Sequence, residues 1–402
     1  MALALSDYDP LHPDVRADPY PYYAHLRANE PVKFIPTLNA WAVSRHDDVR
    51  QLLLDHARYS SDPLIQIAFG DFNPAPEARF MIASDPPDHS RLRSLVNKAF
   101  SRRYVADLRN EIAATVTQLL DSLEGRQTFD FTEEFAAPLP VTLVANILGV
   151  EPAMHADFRR WSNNVTAGGN SQTLTEAQRA AFRRDADDFR DYFLQRIARA
   201  RRQPEPNLIS ALVHAEEHGE QLSADEVLAL SVLLLIAGNE TTTNLLSNAM
   251  ITLGQFPDEA ALARRDRSLI PGLIEESLRY LSPIQLLFRR ATEDTEIAGQ
   301  ALPKDSIVMP IFASANRDER AFARPDALDI RRDDAKKSLA FGWGIHLCVG
   351  KALANLEGEI ALNQLFDRFK SLDVATPSID WCDAFYLRGP KQLPVTVARA
   401  GA

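Results

Sequence analysis

The sequence predicts a mainly α-helical protein with a minor β part, and three observations predict it. Helical patterning dominates residues 85–219. Residues 223–254 form one unusually long helical candidate with start and stop signals at its ends. Strand-like runs are short and confined to residues 32–44, 297–310 and 393–397. The 402 residues, 46% of them hydrophobic, can bury a large core. Length alone would allow two or three domains. With no Gly/Ser linker, low-complexity tract or internal repeat to divide it, the chain reads as a single domain over residues 1–402.

A formal net charge of -11 argues against a general nucleic-acid binder that needs a broad basic surface, though not against a local basic patch for a protein partner. Two cysteines, Cys348 and Cys382, are too few for a disulfide scaffold or a four-cysteine zinc site. The opening residues lack the basic flank of a signal peptide, and the longest apolar run, residues 228–238, falls short of a spanning helix. The expectation is a cytoplasmic protein with no membrane and no nucleic-acid partner.

In chain order, Tyr20–Asn29 reads as a helix, and residues 32–35 and 40–44 read as strands joined by a turn at Asn39. His46–Leu54 reads as helix. Residues 61–84, with Pro63, Gly70, Pro74 and Pro76, read as a long loop, of a length that is usually functional or disordered. At residues 85–93, Asp85 is placed to cap a helix with Pro86 at its first position. The patterning breaks near Gly168 and Gly169 and again at Pro204 and Pro206. Ser223 and Glu226 form a capping box for the long helix, which Gly254 and Pro257 stop. Residues 271–281 and 351–369 read as helices among the C-terminal strands.

The sharpest signal is Phe341-Gly342-Trp343-Gly344-Ile345-His346-Leu347-Cys348-Val349-Gly350. Its glycines permit a tight, left-handed-tolerant hairpin ending where a helix begins. A thiolate there faces the positive end of the helix and nearby N–H donors, which lower its pKa. A lone cysteine is more often buried and inert, and a zinc reading of His346 and Cys348 lacks further ligands. The loop resembles the haem-binding signature of the cytochrome P-450 family, with Phe341, Gly342, Gly344, His346, Cys348 and Gly350 all in place. A chance match of this kind arises about once in a million chains. The resemblance extends over nearly the whole chain. It implies a single-domain cytochrome P-450 fold, haem b (iron protoporphyrin IX) as cofactor and Cys348 as the ligand to iron. A thiolate in that position favours O–O cleavage.

Three further segments test this resemblance. In the long helix, apolar residues give way to Ala237-Gly238-Asn239-Glu240-Thr241-Thr242, where an interior glycine and buried polar groups break local rules. Ala237 and Gly238 are read as leaving room for a flat macrocycle and dioxygen. Glu240 and Thr241 match the family's acid–alcohol pair for proton delivery. The bland alternative is a helix crossing with a back-bonded threonine. Glu276 and Arg279 are neighbours on one helix and match the family's structural Glu-x-x-Arg element, with Arg332 as the joining arginine; a solvated surface pair is the alternative. His89 and Arg93, four apart on one face, match the family's anchors for the haem propionates, along with Arg289 (preferred to Arg290) and His346. Trp343 and Asn355 depart from the pattern, where bacterial members often carry His and Arg.

The resemblance implies a monomeric, O2-dependent monooxygenase. It would insert one oxygen atom into an apolar small molecule by hydroxylation or epoxidation, on a polyketide, terpenoid, steroid or fatty-acid frame. No flavin or iron–sulfur motif is visible, so electrons would come from NAD(P)H through a separate ferredoxin or flavodoxin with its reductase. Arg91, Lys98, Arg102, Arg103 and Lys351 are the candidate docking residues. Residues 61–84, 150–185, 233–238 and 284–288 are candidate walls of the substrate site. A peroxide-driven peroxygenase of the same fold, a non-catalytic haem sensor or carrier, and a helical interaction protein without cofactor are the rival readings.

Overall fold

In the computed structural model, which describes residues 3–65, 73–168 and 175–399, the chain resolves into two compact units interleaved along the sequence. The first comprises residues 1–60, 116–137 and 241–402; the second comprises 61–115 and 138–240. The loop at 61–84 and the segment 150–185, both candidate substrate walls, fall partly on residues 66–72 and 169–174, outside the described residues.

The first unit holds the main sheet. Val32–Ile35 pairs antiparallel with Ala40–Val43 around the Asn39 turn (φ 47°), and Ile307–Pro310 joins the latter in parallel, Ile307 opposite Ala40. Arg289–Ala291 and Tyr59–Ser60 complete five strands. The Tyr59–Ser60 strand has no local sequence signal, because its two residues gain a ladder only from Ala291 and Arg290, far along the chain. Beneath the sheet, Val49, Leu52 and Leu53 of helix His46–Leu54 bury against Val43, Val308, Phe312 and Leu339. A three-stranded antiparallel sheet joins Phe369–Val374, Pro394–Arg399 and Thr128–Asp130.

The second unit is helical apart from one short hairpin. Helices His155–Gly168 and Glu176–Arg202 meet through Phe158, Trp161, Phe189 and Phe193, with the Phe189 and Phe193 rings stacked 4.3 Å apart. Such aromatic contacts add about 0.5–1.5 kcal/mol beyond area burial.

The long helix runs Ala224–Gln255 without a break, and the unit boundary falls between its Glu240 and Thr241. Its capping box forms as expected: Glu226 N–H donates to Ser223 Oγ (3.1 Å), and Ser223 N–H donates to the Glu226 carboxylate (2.8 Å). Among the described residues this is the one helix long and apolar enough to cross a membrane, but 56% of its most apolar window is buried inside the protein. The bare run at 228–238 understated this helix because polar residues interrupt its apolar pattern.

One expected start is corrected. Helix Asp88–Ala99 begins three residues after Asp85, with Pro87 at its cap position. The Asp85 carboxylate instead accepts from Ser61 N–H at 3.2 Å, so neither the Asp85 cap nor the Pro86 first position holds. The second proline displaces the start, because it disfavours helical backbone at the residue before it, Pro86.

Candidate active site

The cysteine loop is built against helix His46–Leu54. Gly342 and Gly344 adopt φ of +71° and +69°, a region that favours glycine. At Gly344 a Cβ would also lie 2.5 Å from the Leu53 carbonyl oxygen, so both backbone and packing require glycine there. Cys348 N–H donates to the Phe341 carbonyl at 2.9 Å, closing the hairpin, and helix Lys351–Arg368 follows at once from Gly350. At Gly350 a Cβ would touch Cys348 Sγ at 3.8 Å. Within this fold the cysteine is exposed. Trp343 instead packs on the core beneath the sheet, with the Arg50 guanidinium 5.1 Å from its ring centre.

The same unit holds a buried charge cluster. Glu276 is fully buried and accepts from Arg279 Nε and Nη2 and from Arg332 Nε, each at 2.8 Å. The Asp329 amide donates to it at 3.0 Å. Arg279 also donates to the carbonyls of Asn316, Pro325 and Ala327. The surface-pair alternative is therefore excluded: every charge is buried, paired and hydrogen-bonded. Sequence reasoning missed Asn316, also fully buried, whose Oδ1 accepts from Leu339 N–H (2.7 Å) and ties the approach to the cysteine loop. Its signal was a lone asparagine in an apolar stretch, too common to single out.

Arg289 is buried within the sheet, while Arg290 points outward to Asp305 at 2.7 Å. The alternation of a strand separates the two. His346 lies half-buried in the short turn Gly344–His346. In the second unit, His89 is buried and Arg93 half-buried, one turn apart on helix Asp88–Ala99.

The long helix is buried over residues 227–232 and again over 244–253. Between them, Leu233, Leu234, Ala237, Glu240 and Thr241 are uncovered to varying degrees, a stripe at helical spacing with Ala237 exposed. Burial raises the Glu240 carboxyl to about 7, which puts a proton-carrying group near neutrality. At Gly238 a Cβ would lie 3.2 Å from Val144 Cγ2, so its missing side chain serves a crossing with helix Pro138–Ile147. Of the two small residues, Ala237 is exposed and Gly238 partly covered. Asn239 points elsewhere, donating to Ser162 Oγ at 2.5 Å. Farther along, Asn248 Nδ2 donates to the carbonyls of Leu281 (3.0 Å) and Arg388 (2.9 Å).

The donor set suits a metal carried inside an organic ring. Among the described residues no group of three or more His, Cys, Asp and Glu could hold a bare ion, so any metal at Cys348 would need further ligands that the chain does not supply there. A metallated macrocycle with carboxylate side arms would take one donor to its metal and cationic partners for its carboxylates, and Cys348, His346 and Arg289 on the first unit are of those types.

The family profile described as Cytochrome P450 matches residues 34–266 and 261–380. Cytochrome P450 107B1 of Saccharopolyspora erythraea is 40% identical over 389 residues, covering 93% of each chain. The 6-deoxyerythronolide B hydroxylase of the same organism is 36% identical, covering 95% of this chain and 98% of the relative. The solved structure of cytochrome P450 CYP109Q5 from Chondromyces apiculatus superposes with a TM-score of 0.92 at 38% identity, over 99% of this chain and all of that one.

Proposed function

The chain belongs to the cytochrome P450 family, a haem-dependent, O2-using monooxygenase family, and from that premise we propose that it oxidises a large apolar secondary metabolite of polyketide type. The reaction is hydroxylation or epoxidation in the cytoplasm, with electrons from NAD(P)H through a separate ferredoxin or flavodoxin and its reductase. The observation that carries the reading is an exposed Cys348 at the end of a glycine-built hairpin, directly before a helix N-terminus. Similarity to a hydroxylase of 6-deoxyerythronolide B supports the substrate class.

Cys348 would bind the haem iron through sulfur, and His89, Arg93, Arg289 and His346 would pair with the two propionates. When bound, haem supplies the redox-active iron at which dioxygen is reduced. The residues of the chain do the rest. The N-terminus of helix Lys351–Arg368, directly after the loop, would favour the anionic form of the Cys348 sulfur. Glu240, with its carboxyl near 7, accepts protons from solvent and releases them, and the adjacent Thr241 hydroxyl passes them on. Leu233, Leu234 and Ala237 offer the apolar surface for substrate, and the pinned segment around Gln285, which accepts from Tyr23 Oη at 3.2 Å, offers Ile284 and Leu287.

The acid–alcohol pair favours O2 over peroxide as oxidant, since peroxide already carries its protons. Titrating the ferric protein with macrolactones, terpenoids, steroids and fatty acids tests the substrate class. Macrolactones should give the largest Soret shift, and NADPH, ferredoxin and reductase should then add one oxygen atom. A shift only with fatty acids, or turnover only with peroxide, would contradict the proposal.

A further inference from the structure

We infer that the first unit carries a second ligand site: a cavity walled by Arg317, Arg388, Tyr20, Tyr280 and Trp381 that takes a small organic carboxylate with an apolar body. None of these residues is among the proposed haem anchors or substrate walls, so the site stands whether or not those assignments hold.

The cavity is assembled from segments far apart in the chain. Helix Tyr20–Asn29 contributes Tyr20, Ala24 and Arg27, which recur at i, i+4 and i+7 and share one face. Tyr280 ends helix Ile270–Tyr280, and Arg317 follows the short helix Phe312–Ala315. Trp381 and Arg388 come from a C-terminal loop closed by the Trp381–Pro390 bridge and by Cys382 N–H, which donates to the Gly389 carbonyl at 2.9 Å. The cavity volume is about 550 Å³, inside the range of about 300–1,000 Å³ that small-molecule sites occupy.

Its cations are fixed in place but poorly neutralised. Arg317 is buried, with its guanidinium carbon 3.7 Å from the ring centres of both Tyr20 and Tyr280. Its Nε and Nη2 donate to the Tyr280 carbonyl, and its carboxylate partner, Asp326 at 3.2 Å, is 76% exposed. Arg388 is only 6% exposed. Its Nη1 and Nη2 donate to the carbonyls of Arg16 and Ala17, at 2.9 Å each. Its guanidinium carbon lies 3.7 Å from the Trp381 ring centre and 5.8 Å from that of Tyr20. Among the described residues Arg388 joins no ion pair, and neither its Nε nor Tyr20 Oη has a hydrogen-bond partner. Burial works against the charge of Arg388 and lowers its pKa. A buried cation held by carbonyls and ring faces is short of a counter-ion.

The same groups select the ligand. One uncompensated guanidinium matches one negative charge, and its remaining donors suit a planar carboxylate. Arg27, also on the wall, is already paired with Glu319. Asp18 and Asp326, exposed wall residues, would repel a dianion such as phosphate. Pro21, Ala24, Leu281 and Ile379 offer apolar contact for the rest of the molecule.

The test is isothermal titration calorimetry of the haem-loaded protein with naphthoate, its neutral counterpart naphthylmethanol and inorganic phosphate, with the Soret band recorded alongside. Naphthoate should bind at one site per chain, naphthylmethanol about ten-fold more weakly, and phosphate not measurably. Arg388→Gln should weaken naphthoate about ten-fold. Asp326→Asn, at an exposed position, should instead tighten it about three-fold, because a competing carboxylate is removed; a purely apolar cavity would be indifferent to that change. Ala24→Trp fills the cavity from an exposed position of its helix, so it serves even where Arg388→Gln fails to fold, and it should abolish the heat. Four results would each overturn the inference: naphthoate binding that survives Ala24→Trp, equal binding of naphthylmethanol or phosphate, unchanged or weaker binding in Asp326→Asn, or a Soret shift that tracks the heat and so places the ligand at the haem.

Discussion

At the scale of single residues, the account turns on ionisable groups placed where burial changes their behaviour. Glu240 titrates near neutrality on the uncovered stripe of the long helix. Glu240→Gln should lower O2-dependent turnover about a hundred-fold, divert reducing equivalents to peroxide, and flatten the rate profile between pH 6 and 8; coupled NADPH and product assays check this. Glu357 has no such role. Its carboxyl is buried, its Oε2 has no hydrogen-bond partner among the described residues, and burial raises it to about 8. A carboxyl raised on folding binds its proton more tightly in the native state, so stability is greatest below the ordinary value near 4.5 and falls as pH rises toward 8. Glu357→Gln should remove this dependence and stabilise the protein at pH 7 by on the order of 3 kcal/mol, as denaturant melts at pH 5 and 7 would show. Residue chemistry was legible where it is narrow: a glycine–cysteine hairpin has few uses. It was less legible at Gly238, where the missing side chain serves the neighbouring Val144, a contact that only the folded chain discloses.

At the scale of elements, buried charge joins segments that sequence leaves apart. Glu276 anchors Arg279 from its own helix and Arg332 from an irregular segment, and loss of the carboxylate leaves two buried cations without it. Glu276→Ala should cost about 3–5 kcal/mol and reduce the yield of haem-loaded protein, measurable by denaturation and by the haem-to-protein ratio. Gly344→Ala should be similarly damaging, because it combines a strained φ with a clash against the Leu53 carbonyl. Most long elements were readable from periodicity and caps, as at Ser223 and Glu226. What was not readable depended on distant partners. The strand Tyr59–Ser60 exists through its pairing with Arg290 and Ala291, and the start of helix Asp88–Ala99 was masked by two consecutive prolines.

At the scale of the whole molecule, the chain is interleaved between two compact units, with the long helix contributing to each. No Gly/Ser linker marks the divisions. A cofactor bound by the folded chain alone adds stability by mass action, about 2.7 kcal/mol at a hundred-fold excess over its dissociation constant. Haem-free protein should accordingly melt at lower temperature and recover on reconstitution, by calorimetry. The most direct test remains the bond at Cys348. Reduced protein under carbon monoxide should show the strongly red-shifted Soret band of thiolate ligation, and Cys348→Ser should abolish it while leaving the far-ultraviolet circular dichroism unchanged. A Soret band that stays red-shifted in the serine variant would contradict the account.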